Sequence, residues 1–282
     1  DLPAPNKARK EEEMSGNGKR SKAILVVSFG TSYEDTRKKT IEAIEERAAQ
    51  AYPEWEVYRA WTSGMIIKKL WKRDGLHIDT VAEAMERMAA DRIRQVVIQP
   101  THVINGIENE QMVKDALAFE NQFDRISVGT PLLTSDEDSV RVIQALAEET
   151  GRLSKDTAAV FMGHGTTHYA NTVYAALDYR MKDMGYPNFF LGTVEAYPSL
   201  PALKRRLREG GYRKVILCPF MIVAGDHARH DMASEDEDSW KYQLEQEGYE
   251  ITCRMKGLGE YGGIQELFLD HIAEVIPAGD NG

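Results

Sequence analysis

Apolar and polar positions along the chain define two kinds of segment. Short unbroken apolar runs rich in β-branched residues, such as AILVVS at 23–28, are typical of strands buried on both faces of a parallel sheet. Longer segments repeat their apolar positions with helical spacing. Strands are predicted at 23–28, 55–61, 95–99, 125–128, 158–162, 189–194, 215–218 and 250–255. Helices are predicted at 35–51, 62–71, 80–90, 108–119, 135–150, 169–184, 199–208, 239–247 and 261–276.

The order of these elements predicts an α/β fold. Strand and helix alternate with short connections, as in parallel sheets covered by helices, and the pattern restarts after Gly151. We expect two similar Rossmann-like lobes, each a four-stranded parallel sheet flanked by helices, with the active site in the cleft between them. The predicted units are a disordered leader (1–21), an N-terminal lobe (22–134), a connecting helix and linker (135–157), a C-terminal lobe (158–258) and a closing helix (259–282) that can pack on the N-terminal lobe.

Two stretches of the chain share one plan. RQVVIQPTHVINGIENE (94–110) and KVILCPFMIVAGDHARHD (214–231) each begin as a buried strand, break at a proline and continue through an apolar loop to a glycine. In this register Glu108 matches His227, 119 positions later. Ligands of open α/β sheets bind beyond the carboxyl ends of the strands. The two loops are therefore predicted to line one shared site.

The candidate catalytic side chains all follow predicted strands: His164, Glu195, His227 and Glu108. Neutral imidazoles with carboxylates bind borderline divalent ions such as cobalt, nickel, iron or zinc. Near pH 7 the same imidazoles accept protons. The plainer interpretation of each residue is a hydrogen-bonded loop position, but the flanking glycines of His164 favour close ligand approach. We expect His164 and His227, in opposite lobes, to face each other across the cleft.

The other histidines carry weaker signals. His102 follows a strand and is a candidate ligand for a metal or macrocycle, whereas His168 and His230 fall on predicted first turns of helices. Asp226 either orients His227 or caps the next helix. Two histidines are predicted to be surface or packing residues: His77 and His271.

Composition excludes several classes of protein. The 45 acidic and 35 basic residues give a net charge of −10, which argues against a general binder of nucleic acid or anionic membranes. No apolar run reaches the ~18 residues of a membrane helix. Cys218 and Cys253 are too few for a disulfide framework or a cysteine-ligated zinc. Gly257, Gly259 and Gly262 fit G-x-G-x-x-G, but no further strand follows them, so no nucleotide is predicted.

The first 21 residues, DLPAPNKARKEEEMSGNGKRS, are polar, charged and aperiodic, as in disordered leaders. The chain does not begin with methionine, which a cleaved export signal or a trimmed start would equally explain. A cytoplasmic location is expected, with an exported, periplasmic location as the alternative. A homo-oligomer is left open.

Six motifs together resemble one family. The sequence is similar to the sirohydrochlorin cobaltochelatases of anaerobic cobalamin biosynthesis, class II chelatases related to ferrochelatase. The resemblance covers residue 22 to the C-terminus. It is carried by LVVSFGTSYEDT (25–36), TSGMIIKKL (62–70), HVINGIE (102–108), VFMGHGTTH (160–168), GTVEAYP (192–198) and VAGDHARHDMASEDEDSW (223–240).

The resemblance implies a lyase that forms nitrogen–metal bonds. Its substrates would be Co²⁺ and the tetrapyrrole sirohydrochlorin, or its precorrin-2 relative, and two protons would be released. The family's metal-binding, proton-accepting histidines fall on His164 and His227, and its cleft glutamate falls on Glu108. Glu195 is the further candidate carboxylate for metal or substrate. Exported relatives with bound haem have an axial histidine that falls on His102.

A substrate with many carboxylates must find local positive charge on this acidic protein. The predicted substrate contacts are the turn Gly30, Thr31 and Ser32 with a basic rim at Lys68 and Arg229; three neighbours are further candidates, Lys69, Lys72 and Arg73. For the residues at 68–73 an ordinary solvated helix face is the alternative. Two other functions stay open: insertion of Fe²⁺ or Ni²⁺ by the same fold, and a carrier of metal or tetrapyrrole (haem) without turnover.

Overall fold

The protein folds around two four-stranded parallel sheets with the same strand order. The structure is a computed structural model that describes residues 21–277; the predicted leader lies outside them, apart from its last residue. The first sheet has the order β2-β1-β3-β4 and the second β6-β5-β7-β8. The strands are β1 Lys22–Ser28, β2 Glu56–Trp61, β3 Gln95–Pro100, β4 Arg125–Val128, β5 Thr157–Gly163, β6 Phe189–Thr193, β7 Lys214–Pro219 and β8 Glu250–Cys253.

Helices connect successive strands, as predicted. They are α1 Glu34–Lys39, α2 Ile41–Ala51, α3 Gly64–Asp74, α4 Val81–Ala90, α5 Ile107–Leu117, α6 Asp136–Thr150, α7 Thr172–Asp183, α8 Leu200–Gly210, α9 Trp240–Glu245 and α10 Gly262–Val275. Short 3₁₀ turns lie at Glu120–Gln122, Tyr169–Asn171 and Leu258–Glu260, and a π-helical turn at Ala228–Met232. Between residues 21 and 277, none of the helices combines the length and the apolar character needed to cross a membrane.

One predicted helix is wrong in its extent. The segment predicted as a single helix over 35–51 is two helices, α1 and α2, that meet at Thr40. Thr40 has φ −117° and ψ −82°, outside the α-helical region. Its hydroxyl donates to the Thr36 carbonyl oxygen at 2.6 Å, a side-chain bond that competes with regular helix and bends the chain.

Both faces of each sheet are buried, which explains the unbroken apolar runs. In β1, Ile24 and Val26 enter a central cluster, whereas Leu25 and Val27 pack on the opposite face. In β5 the alternation repeats, with Phe161 in the central cluster. The central cluster therefore contains side chains from both sheets. Because this apolar layer is continuous, the exact lobe boundaries at 134/135 and 157/158 stay predictions.

The two sheets place equivalent loops at equivalent ends. In the first sheet β3 pairs with β1 and β4, and in the second β7 pairs with β5 and β8. The two stretches that share one plan, 94–110 and 214–231, are thus the same strand and loop in the two sheets. Glu108 and His227 follow these strands at equivalent positions, one on each sheet.

Candidate active site

The two candidate metal ligands meet at the end of the second sheet. His164 follows β5 and His227 follows β7, and their ring centroids are 4.4 Å apart with an interplanar angle of 82°. The expectation that they come from opposite lobes is wrong. Because β5 and β7 are hydrogen-bonded neighbours, the loops that follow them start side by side in one lobe. Both rings remain open to solvent, with side chains 46% and 40% exposed.

Glycine fixes the turn that carries His164. Gly165 has φ +85°, and a Cβ on it would lie 2.9 Å from the Cβ of Thr193, so a side chain there would be strained. The carbonyl oxygen of Gly165 lies 2.9 Å from His164 Nδ1. A carbonyl only accepts, so His164 donates from Nδ1 and keeps its lone pair on Nε2.

His227 has the same tautomer for a different reason. Its Nδ1 lies 2.5 Å from Asp231 Oδ2, and an ionised carboxylate also only accepts. Asp226 was predicted either to orient His227 or to cap the next helix. Between residues 21 and 277 its side chain does neither. Its Oδ1 instead accepts a hydrogen bond from Tyr33 Oη at 2.6 Å.

The arrangement leaves one Nε2 lone pair on each of two rings whose centroids are 4.4 Å apart. Two nitrogen ligands of one tetrahedral ion are roughly 3.4 Å apart when each bond is ~2.05 Å, which rings at 4.4 Å can reach by small rotations. Glu195 Oε1 lies 3.7 Å from His164 Nε2, so a carboxylate is within reach of the same ion. The loops of Glu195 and His164 are joined by the Glu195 N–H, which donates to the His164 carbonyl oxygen at 3.0 Å.

The glycine-rich segment after β8 supports the loop of His227. The main-chain N–H groups of Leu258 and Gly259 donate to the carbonyl oxygens of Met221 and Ile222 at 2.8 and 3.0 Å. A Cβ on Gly257 would lie 2.4 Å from the Ile222 carbonyl oxygen. The motif that looked like a dinucleotide fingerprint is thus a turn that packs on the loop preceding His227.

Two polar bridges join the lobes beside the histidines. The first, the Tyr33 bridge, is the bond from Tyr33 to Asp226, which raises the pKa of Tyr33. Here the guanidinium of Arg229 lies 3.9 Å from the Tyr33 ring centroid and 3.5 Å from Asp35 Oδ2. The second is the bond from His168 Nε2 to Glu110 Oε1 at 3.1 Å. His168 also accepts from the Ala170 N–H through Nδ1, so its hydrogen is on Nε2.

Glu108 follows a strand of the first sheet, whereas the histidine pair follows strands of the second. It is exposed in the first turn of α5, and among residues 21–277 no hydrogen bond or ion pair joins it to His164 or His227. Sequence analysis missed Tyr33, Asp231 and Glu110. Only Asp231 had a readable signal, its four-residue spacing from His227.

The turn after β1 has a structural role. Gly30 has φ +104°, and a Cβ on it would lie 2.5 Å from Trp61 Cε3. Thr31 and Ser32 are only 2% and 3% exposed, and their contact with substrate stays a prediction. Lys68 is exposed on α3, as a rim residue must be.

His102 does not fit an axial haem ligand in this structure. Its Nε2 is buried, with less than 1 Å² exposed and no hydrogen-bond partner among the described residues, and its Nδ1 lies 3.4 Å from Asn109 Oδ1. Burial lowers the pKa of His102 to about 4. An iron could approach this nitrogen only after the surrounding residues moved.

The predictions for His77 and His271 are confirmed. His271 is 3% exposed and lies between two oxygens. His77 is on the surface, near Asp79 and Glu83, and these three could hold an ion by distance alone. Both oxygens of Asp79 already accept hydrogen bonds from Arg87 at 2.7 and 2.8 Å, so this cluster is neutralised without a metal.

Large apolar side chains are exposed close in sequence to the site residues. Phe29 follows β1, and Ile107 precedes Glu108 in α5; Tyr169 follows His168, and Tyr197 lies two residues after Glu195. They are 46%, 54%, 77% and 64% exposed, respectively. Exposed apolar residues in several such loops provide contact area for a flat apolar ligand.

Two relatives of known name are similar to this chain over most of its length. A sirohydrochlorin cobaltochelatase from Salmonella typhimurium is 44% identical over 255 residues, which are 90% of this chain and 96% of that protein. The sirohydrochlorin cobaltochelatase CbiKC of Nitratidesulfovibrio vulgaris is 33% identical, with 92% of each chain covered.

Solved structures share the fold at low identity. SirB from Bacillus subtilis with Fe³⁺ has a TM-score of 0.61 at 12% identity, covering 90% of this chain and 95% of that one. CbiX, described as the terminal enzyme for biosynthesis of sirohaem in denitrifying bacteria, has a TM-score of 0.52 at 16% identity, covering 91% of this chain and 100% of that one. The family model described as cobalt chelatase (CbiK) matches residues 22–277, and the chain belongs to this cobalt chelatase family.

Proposed function

We propose that this cobalt chelatase inserts Co²⁺ into sirohydrochlorin at the histidine pair. The observation that carries the proposal is the pair itself: two solvent-open imidazoles 4.4 Å apart, each with Nδ1 hydrogen-bonded and Nε2 free. The names of the two relatives supply the macrocycle. The reaction balances as Co²⁺ plus the macrocycle with two pyrrolic N–H groups giving the cobalt complex and two protons.

The histidines hold the ion before it enters the ring. His164 and His227 bind Co²⁺ through Nε2, and Glu195 approaches as a third ligand through its carboxylate. Imidazole suits divalent ions of this hardness. As the ion leaves for the macrocycle, the freed imidazoles can accept the pyrrolic protons. No covalent intermediate or nucleotide is needed.

Glu108 passes protons to solvent. It occupies on the first sheet the loop position that His227 occupies on the second, so it reaches the macrocycle from the other lobe. Its exposure in the first turn of α5 places the carboxylate in contact with water. The neighbouring Ile107, with Phe29 and Tyr169, contacts the macrocycle through apolar surface.

Local positive charge holds the peripheral carboxylates of the substrate. Arg229 and Lys69 lie 3.9 and 6.0 Å from the ring centroid of Tyr33, and Lys68 is exposed on the same helix as Lys69. The guanidinium of Arg229 pairs with Asp35 only at 3.5 Å, so a substrate carboxylate can compete for it. This cluster offsets the net charge of −10 where the substrate docks.

The protein works in the cytoplasm under this proposal, and both its cysteines are free, as suits a reducing compartment. An exported location is tested by cell fractionation.

Haem ligation by His102 requires rearrangement around its buried Nε2, and the absorption spectrum of the purified protein tests it. The oligomeric state is measured by sedimentation.

A chelation assay tests the proposal. Purified protein is mixed with sirohydrochlorin and Co²⁺, and the change in macrocycle absorption is followed. His164→Ala and His227→Ala should each lower the rate roughly 10²–10⁴-fold without unfolding the protein. The matched control is His230→Ala, which removes an exposed histidine three residues from His227. Wild-type turnover in either site variant would show that its assigned role is wrong.

The same assay separates the rival functions. Replacing Co²⁺ by Fe²⁺ or Ni²⁺ measures metal preference directly, since ligand type does not separate these ions. A carrier would bind macrocycle or metal stoichiometrically and yield no metallated product above the uncatalysed rate. That result would refute the enzyme.

A further inference from the structure

We infer that Asp231 is a positioning residue that holds His227 as an Nε2 ligand for the incoming metal. The inference rests on the proposed function of His227. Asp231, four residues after His227, thus orients the ring in place of Asp226, the residue that the sequence suggested.

The contact is short and exclusive. His227 Nδ1 and Asp231 Oδ2 are 2.5 Å apart, and across residues 21–277 the Asp231 carboxylate makes no other hydrogen bond or ion pair. Both side chains are 40% exposed, so the bond contributes little to stability. What it does determine is the tautomer, because the hydrogen stays on Nδ1 and the Nε2 lone pair stays free.

The backbone conformation of this segment directs the side chains of His227 and Asp231 toward solvent. Ala228–Met232 is a π-helical turn, and such turns are rare and are frequently found at functional sites. Ala228 and Met232 are fully buried, which anchors the turn at both ends. His227 and Asp231 precede these two anchors by one residue each, and both face solvent.

Among residues 21–277, Asp231 supplies the one carboxylate that is hydrogen-bonded to or paired with His227. Asp226 Oδ1 instead accepts from the hydroxyl of Tyr33 at 2.6 Å. His164 obtains the same tautomer from the main-chain oxygen of Gly165, which no side-chain substitution at another position removes. The two ligands therefore differ in that only His227 depends on a carboxylate that can be mutated.

The test separates metal from macrocycle binding. In Asp231→Ala the KM for Co²⁺ should rise about 10–100-fold, the usual cost of removing such a partner, while the KM for sirohydrochlorin and the thermal midpoint stay unchanged. Asp231→Asn should recover most of the loss, since an amide oxygen still accepts from Nδ1–H. Glu237→Gln, which removes an exposed carboxylate from the same segment, is the matched control and should behave as wild type.

A spectroscopic measurement accompanies the kinetics. Long-range ¹H–¹⁵N correlation spectra of the metal-free protein should show the Nδ1–H tautomer of His227 in the wild type and in Asp231→Asn. A mixture of tautomers is expected in Asp231→Ala. An unchanged tautomer in Asp231→Ala would overturn the inference.

His227→Ala is assayed alongside, so that failure of the proposed metal site can be distinguished from failure of the role of Asp231. If His227→Ala keeps full activity, the proposed metal site is wrong, whatever Asp231 does. If His227→Ala is inactive but Asp231→Ala keeps the wild-type KM for Co²⁺, the site stands and the role of Asp231 is refuted. Equal increases in both KM values, or loss of folding, would likewise refute a positioning role.

Discussion

A buried contact between Asp138 and His271, beneath the closing helix, supports a prediction about stability. Asp138 in α6 is 5% exposed, and its two oxygens accept from His271 Nε2 at 2.8 Å, the Thr134 N–H at 3.0 Å and the Ser135 N–H at 2.9 Å. The second ring nitrogen of His271 faces the Thr130 carbonyl oxygen at 3.1 Å. Both nitrogens of the buried His271 ring thus have oxygen partners, and the contact with Asp138 joins α10 to α6.

Asp138→Ala leaves the buried His271 Nε2 without its partner. Losing the partner of a buried polar group costs about 1–3 kcal/mol of the free energy of unfolding. The matched control is Asp136→Ala in the same turn of α6, where the carboxylate is 78% exposed and pairs with Arg180 at 3.1 Å. That exposed pair should contribute less than about 1 kcal/mol.

The pH dependence gives a second measurement of the same interaction. Burial alone would raise the pKa of Asp138, but hydrogen bonds from His271 and Thr134 outweigh it and hold the pKa below the ordinary value of 3.8. A carboxyl with a lowered pKa in the folded state stabilises the fold above its unfolded pKa, and this contribution is lost as the pH falls through the folded pKa. Below about pH 4 the wild type should therefore lose stability more steeply than Asp138→Ala.

Urea unfolding of the three proteins at several pH values checks both statements. Equal losses of unfolding free energy in Asp138→Ala and Asp136→Ala at pH 7 would contradict a stabilising contact between Asp138 and His271. The same conclusion would follow if the stability of Asp138→Ala fell as steeply below pH 4 as that of the wild type.

The loops around the site support three further predictions. Gly165→Ala should lower the chelation rate about 100-fold, because the new Cβ lies 2.9 Å from that of Thr193; a wild-type rate would contradict the packing argument. Tyr33→Phe removes the hydrogen bond to Asp226 and should lower the free energy of unfolding by ~1 kcal/mol. A double-mutant cycle of Tyr33 and Asp226, followed by urea unfolding, measures this coupling. A coupling energy of zero would contradict the contribution of the bond. His102 should stay neutral down to about pH 5 in an NMR titration, because burial lowers its pKa to about 4. Acidification from about pH 6.5 to pH 4 should therefore destabilise the fold. A titration midpoint near pH 6.5 would contradict the burial of His102.

Local pattern predicted the elements and the type of fold. Buried parallel strands must be apolar on both faces, and this requirement is visible in runs such as Ala23–Ser28 without any knowledge of tertiary contacts. The repeated plan at 94–110 and 214–231 predicted two similar lobes, and the structure confirms two four-stranded parallel sheets. The break of the first helix at Thr40 was not predicted because it depends on one hydroxyl-to-carbonyl bond rather than on periodicity.

The candidate histidines were also found from the sequence, since an imidazole after a strand in a glycine-rich or polar loop is a local feature. Their placement was not. The predicted bounds of the C-terminal lobe, 158–258, contain both histidines, but they do not say which strands are neighbours. In the structure β5 and β7 are adjacent although β6 separates them along the chain, and this order brings the loops of His164 and His227 together.

The ends of the strands and the side chains that can bind a metal there are legible in the chain, because both depend on residues close together in sequence. The orientation of those side chains and the bridges between the lobes depend on the folded molecule. Tyr33 reaches Asp226 across 193 positions, and the hydrogens on His164 and His227 are set by Gly165 and Asp231, whose approach depends on the folded conformation of the turns. Such contacts depend on distance in space, which apolar periodicity does not encode.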